Sequence, residues 1–450
     1  MHRTSRSPNR RQFLCGCSAA VAALAGSRFN SLAFGMPGAQ TDTLIVVFLR
    51  GGMDGLSLLP PITGSDRGHY EAARPGLAVP TTGPNRALPF DAQFGVHPSA
   101  APLRTLYQDG GLAVVQATGM AEVNRSHFDA MNIIEIGVGT QPNGTSGWLT
   151  RHLASSPTLP AGAEMPSLSI GDLQPVSLLS SYETVNVADP NSFNINFGPW
   201  NWIDEQKVAL QTMWNNDSSW LHTSGVQAFN AMDLIESNFD EGYSPSNGAV
   251  YPETDFGDQL QIVAQMIKLD IGLQVATIDF GGWDTHQGQG VGPDGYLSGL
   301  FDDLSRGLAA LYADLDVGSG AANFLQRTTV TVQSEFGREL RENSDAGTEH
   351  GYGNVMLVMG GSVNGGQLFG SWPGLSSGQL FDGTDVDVTT DYRQVLSEIL
   401  ERRLGNPNLG QVFPGFSPGQ NLGIVAGSAP PLFRNGFESG SLGDWSGHQS

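Results

Sequence analysis

The stretch LIVVFLRGG, residues 44–52, decides the fold class. Six apolar residues without polar alternation are the pattern of a strand buried on both faces, and such strands belong to a parallel sheet covered by helices. The two glycines end the run at a turn. Four more runs repeat the pattern: GLAVVQATG (111–119), LQVATIDFGG (273–282), TTVTVQSEFG (328–337) and NVMLVMGG (354–361). Apolar residues at three- and four-residue spacing predict helices at 226–239, 256–271, 296–317 and 391–404. Alternating strands and helices predict an α/β three-layer sandwich with a mostly parallel central sheet. The stretch 141–225, rich in Pro, Asn, Ser and Trp, has one strand candidate, PSLSIGD (166–172), and is expected to form an irregular cap insertion.

The ends of the chain carry other signals. No acidic residue precedes Asp42, whereas Arg3, Arg6, Arg10, Arg11 and Arg28 do. NRRQFL (9–14) followed by an apolar run to Gly26 is a twin-arginine export signal, which predicts a signal peptide over 1–39 and a periplasmic or extracellular destination. That run is shorter than the ~20 residues a membrane span needs, so no stable membrane anchor is expected. Both cysteines, Cys15 and Cys17, fall inside this leader, so the exported protein is expected to have no disulfide and no thiolate ligand. The formal charge is −22 and lysine occurs only at 207 and 268, which argues against nucleic acid as a partner. The main domain is expected over 40–426, with a linker and short tail over 427–450.

In open parallel sheets the ligand site lies outside the carboxyl ends of the strands. Polar residues stand there repeatedly. Asp54 follows the first run in RGGMDG, where glycines allow a tight turn. Arg125, Ser126 and His127 follow the second in NRSHFDA. Ser126 is placed to cap a helix, with Asp129 completing a variant capping box. The same position at a helix N-terminus suits a nucleophile and an anionic substrate, with Arg125 and His127 binding the anion or moving a proton. Asp284 and His286 follow the third run, Glu335 the fourth, and His350 precedes the fifth. Mixed carboxylate and imidazole donors suit zinc or manganese. Asp54, Ser126, Asp284, His286, Glu335 and His350 exceed the needs of one ion and would fit two about 4 Å apart. Three nearby residues read more plainly: His97 as a structural loop residue, Trp283 as packed between loops, and Arg338 as an anion ligand or an exposed salt bridge.

Taken together, LIVVFLRGGMDGLSLLPP, FGVHPSAAPLRTLYQDGGLAVVQATG, NRSHFDAMNIIEIG, IDFGGWDTHQGQ and SEFGRELRENSDAGTEHGYGNVMLVMGG resemble a domain-of-unknown-function family of twin-arginine-exported bacterial proteins, over about 43–425. That family is in turn similar to the alkaline phosphatase and sulfatase superfamily. The resemblance implies an alkaline-phosphatase-like fold in which Asp54 holds one metal, Ser126 is the bridging nucleophile, and Asp284, His286, Glu335 and His350 complete the ligand set. Asp284 and His286 are two apart where phosphatases have four, and Glu335 precedes Phe336 where they have Asp-His. No Cys-x-Pro-x-Arg sulfatase motif is present. The expectation is therefore a secreted metal-dependent hydrolase of phosphate or sulfate esters with one or two ions, acting on a small-molecule or glycan ester. The alternative is a non-catalytic secreted binding or assembly protein.

Overall fold

A computed structural model of the chain describes residues 41–427, apart from 140–143, 160–164, 182, 189–201, 215–219 and 240–241. The expected signal peptide and nearly all of the tail lie outside the described residues.

The first apolar run forms strand β1 (Thr43–Leu49), every residue of which is buried. Its side chains alternate between two cores. Ile45, Val47 and Leu49 join one apolar cluster; Leu44, Val46 and Phe48 join the other, on the opposite face. This two-sided burial is why the run shows no polar alternation. The other sheet strands are β2 (Leu112–Gly119), β3 (Ser167–Ile170), β4 (Thr184–Val187), β5 (Val275–Phe280), β6 (Thr328–Ser334), β7 (Asn354–Gly360), β8 (Leu368–Phe369) and β9 (Thr390–Asp391). They hydrogen-bond in the order β8, β2, β7, β6, β1, β5, β3, β4, with β9 also on β2.

Helices cover both faces. On one side lie α1 (Ala101–Gln108), α4 (Asp255–Lys268) and α5 (Tyr296–Leu315); on the other lie α2 (His127–Ile136), α3 (Trp148–Ser155) and α6 (Tyr392–Arg402). Their ends follow local chemistry. The Thr254 side chain accepts from Gly257 N to start α4, and Asp391 accepts from Arg393 N to start α6. Gly137, at φ +75°, ends α2 in the left-handed conformation. The molecule is thus a mixed α/β protein with a large, mostly parallel central sheet. Among the described residues, no helix is long and apolar enough to cross a membrane.

The stretch 141–225 supplies β3 and β4, which extend the sheet, and α3, whose Trp148 is 1 % exposed in the core. The fifth apolar run differs from a uniformly parallel reading: β7 runs antiparallel to both β6 and β2. Burial on both faces makes a strand apolar whatever its direction, so composition carries no sign of the reversal. The reversal determines the site. Leu49 pairs with Phe280 and with Ser334, which puts the ends of β1, β5 and β6 level at one edge. Because β7 is reversed, its beginning reaches that same edge: Asn354 pairs with Thr118 near the end of β2. His350, which precedes β7, therefore meets the residues that follow β1, β2, β5 and β6.

Candidate metal centre

Asp284 lies at the middle of the strand-end cluster. Its Oδ1 stands 3.0 Å from His286 Nε2, 3.2 Å from His350 Nε2 and 3.3 Å from His127 Nε2. His286 Nε2 and His350 Nε2 are 2.8 Å apart. Donor atoms of His127, Asp284 and His350 all lie within 4.8 Å of one another.

The other face of each imidazole fixes its proton. His127 Nδ1 meets Glu335 Oε1 at 2.7 Å, His286 Nδ1 meets Glu349 Oε2 at 2.8 Å, and His350 Nδ1 meets the Arg125 carbonyl at 2.8 Å. Ionised carboxylates and carbonyls only accept, so each Nδ1 must donate, and a neutral ring then has only a lone pair at Nε2. When all three rings are neutral, three lone pairs face one carboxylate oxygen. His127 Nε2 shows the result: it is buried without a hydrogen-bond partner even though Asp284 Oδ1 is 3.3 Å away.

Arg338 fixes the carboxylate. The sequence allowed an exposed salt bridge or an anion ligand here, but the guanidinium is fully buried, because Gly51 and Gly52 turn the chain around it. It donates to the carbonyls of Gly51, Gly52, Trp283 and Thr348 and, at 2.7 Å, to Asp284 Oδ1. Partial burial disfavours charge on Asp284, but the hydrogen bond and charge of Arg338 outweigh it and hold its pKa down to about 2. The Glu335 hydrogen bond holds His127 above the ordinary imidazole range, while burial pushes His350 below it.

Two expected ligands have other partners. Glu335 is 1 % exposed and lies behind His127. Gly51 N donates to its Oε1 at 2.8 Å and Ser334 Oγ to its Oε2 at 2.9 Å, so it orients the imidazole from its far side. Burial opposes its ionisation, but the hydrogen bonds from His127, Ser334 and Gly51 keep its pKa low. Asp54 is wholly buried and accepts from Arg74 at 2.5 and 3.1 Å, from Ser57 Oγ at 2.7 Å and from Gln289 Nε2 at 2.7 Å. Burial would raise its pKa, and the Arg74 guanidinium lowers it instead. Gln289 Oε1 accepts from Thr285 and Thr348, which ties this ion pair to the turn holding Asp284.

Ser126 is exposed at the N-cap of α2, but its hydroxyl makes no capping bond and the capping box with Asp129 does not form. The Arg125 side chain is 38 % exposed, and its guanidinium pairs with the buried Asp385 carboxylate. Trp283 is 0 % exposed and packs on Phe280 and Phe301, and His97 is buried, accepting from Ser99 N at 3.2 Å. Arg74 and Glu349, which sequence reasoning passed over, gave no distinct signal, although Glu349 directly precedes His350.

Fold and site define a mixed α/β protein that gathers three histidines and an aspartate at the carboxyl edge of its sheet. The chain belongs to the family DUF1501, described as protein of unknown function, which it matches over residues 41–412. No curated protein matches it.

Proposed function

We propose that the chain is an exported metal-dependent hydrolase of phosphate or sulfate esters. Its single divalent ion, zinc or manganese, would be held among Asp284, His127, His286 and His350, with Ser126 as nucleophile. One observation carries this reading: three imidazoles whose Nδ1 protons are committed elsewhere turn their Nε2 lone pairs toward one carboxylate oxygen. Converging acceptors repel unless a cation or extra protons lie between them. Donors about 2.05 Å from a tetrahedral ion stand roughly 3.3 Å apart, close to the 3.0–3.3 Å between Asp284 Oδ1 and each Nε2, and His127, Asp284 and His350 form the mutually close group that His286 would join. The outer carboxylates Glu335 and Glu349 match the usual support of metal-bound histidines. Asp54 argues for one ion over two, since Arg74 already neutralises it.

When bound, the ion supplies Lewis acidity that polarises the ester and offsets developing charge. The chain's own residues would do the rest. Arg125, held on one side by Asp385, has further N–H groups to orient the anionic substrate. Ser126, at the positive end of α2, attacks phosphorus or sulfur; a serine ester forms and the alcohol departs with the serine proton. Water then cleaves that ester, releasing phosphate or sulfate and restoring the hydroxyl. The 1–39 leader would export the protein already folded and metallated.

The test is turnover of aryl phosphates and aryl sulfates by metal-loaded protein. Activity that falls at least ~100-fold in both Ser126→Ala and Asp284→Asn is expected. A bound stoichiometric ion without turnover of either ester would instead favour a non-catalytic binding protein.

A further inference from the structure

Among the described residues, Phe128 and Tyr296 are the only exposed aromatic side chains, at 85 % and 55 %. Every other described aromatic is at least half covered. Phe128 belongs to the helix that carries His127, and Tyr296 lies against the loop that leads to Asp284. Phe128 directly follows His127 on the first turn of α2, so their Cα atoms are about 3.8 Å apart. Tyr296 opens α5, and its hydroxyl lies 2.7 Å from where a Cβ on Gly282 would stand, two residues before Asp284. The absence of a side chain at Gly282, at φ +94°, lets the phenol lie over this loop. His127 and Asp284 approach within 3.3 Å, so the turn that carries Phe128 and the loop beneath the Tyr296 phenol meet at the cluster. Val123, 39 % exposed, adds apolar surface just before Arg125 and Ser126.

Large exposed aromatics keep apolar area in water, and their placement on the two sides of a polar cluster makes them candidates for recognising the apolar part of a ligand. The nearby charges favour the same division of labour. Arg125 can take an anion, whereas the rings offer flat faces without charge. We propose that Phe128 and Tyr296 form a subsite for a ring in the non-reacting part of the substrate, so that the enzyme prefers ring-bearing monoesters, aryl or sugar, over acyclic ones. This rests on the proposed hydrolase reading and names the substrate class of that same site.

The experiment measures binding of phenylphosphonate, cyclohexylphosphonate and methylphosphonate to metal-loaded full-length protein by calorimetry, with metal content checked in every variant. Stacking of one or two rings predicts phenylphosphonate binding about 10-fold tighter than methylphosphonate. That ratio should fall toward 1 in Phe128→Ala/Tyr296→Ala with metal content retained, and Phe128→Tyr should restore most of it in the single-site background. The cyclohexyl arm separates a flat aryl preference from recognition of a saturated, sugar-like ring. A ratio unchanged by the double substitution would overturn the subsite while leaving the metal reading intact. If neither the phenyl nor the methyl phosphonate binds, the phosphate-ester reading fails and this inference falls with it.

Discussion

At the scale of single residues, two acids that sequence position alone makes equivalent have different surroundings. Asp284 is half exposed, with three imidazoles turned toward one oxygen. Asp54 is fully buried and saturated by Arg74, Ser57 and Gln289. Asp54→Asn should therefore cost about 3–5 kcal/mol of stability, because it leaves the Arg74 charge buried and unpaired, yet leave metal stoichiometry unaltered. Asp284→Asn should lose the ion, and it should also cost stability because it removes the carboxylate that faces the buried Arg338 guanidinium, so metal content is what separates the two variants. Urea unfolding and metal analysis of both variants check this; loss of the ion in the Asp54 variant would count against the assignment. Glu335→Gln should weaken metal binding about 10- to 100-fold without abolishing the fold, since it acts through the His127 ring. An unchanged affinity would remove Glu335 from that supporting role. The sequence placed all these residues at strand ends but could not rank them. Arg74 lies 20 residues from Asp54 with no local pattern linking them, and the helical turn that aims His127 inward while leaving Ser126 exposed is a property of α2, not of either residue.

At the scale of elements, the site depends on backbone passing closely through the strand-end loops. Gly51 has φ +126°, and a Cβ there would lie 2.5 Å from Asp284 N; at Gly347 it would lie 2.2 Å from the His286 carbonyl carbon. Gly51→Ala combines a conformation foreign to L-residues with a backbone clash, so it should cost about 3 kcal/mol and lower metal affinity together. A stability within 0.5 kcal/mol of the parent by urea unfolding would show that the loops can separate without consequence. The five long strands were legible because burial on both faces writes a continuous apolar run. The direction of β7 was not, and nor was the hairpin of Arg338–Glu342 with Thr348–His350, whose short strands alternate with polar residues. β4 was missed for a similar reason: four residues at a sheet edge do not give a run long enough to separate from loop.

At the scale of the whole molecule, two buried histidines away from the cluster tie stability to pH. Burial pushes His97 and His152 down to about 4. In the unfolded chain each titrates near 6.5, so between these values the unfolded state binds more protons and folding weakens as pH falls. The stabilisation is complete above about pH 6.5 and lost progressively toward pH 4, by at most about 3 kcal/mol for each ring. Urea midpoints at pH 7 and pH 4.5 should differ accordingly, and His152→Gln should flatten the slope even if it lowers stability at both pH values. A slope identical to the parent's would contradict the burial argument. The central claim concerns one ion at one edge of the sheet, and anomalous diffraction from crystals of zinc- or manganese-loaded protein tests it most directly. One anomalous peak is predicted, bounded by Asp284 Oδ1 and the Nε2 atoms of His127, His286 and His350. No peak there, or a peak against Asp54, would contradict it.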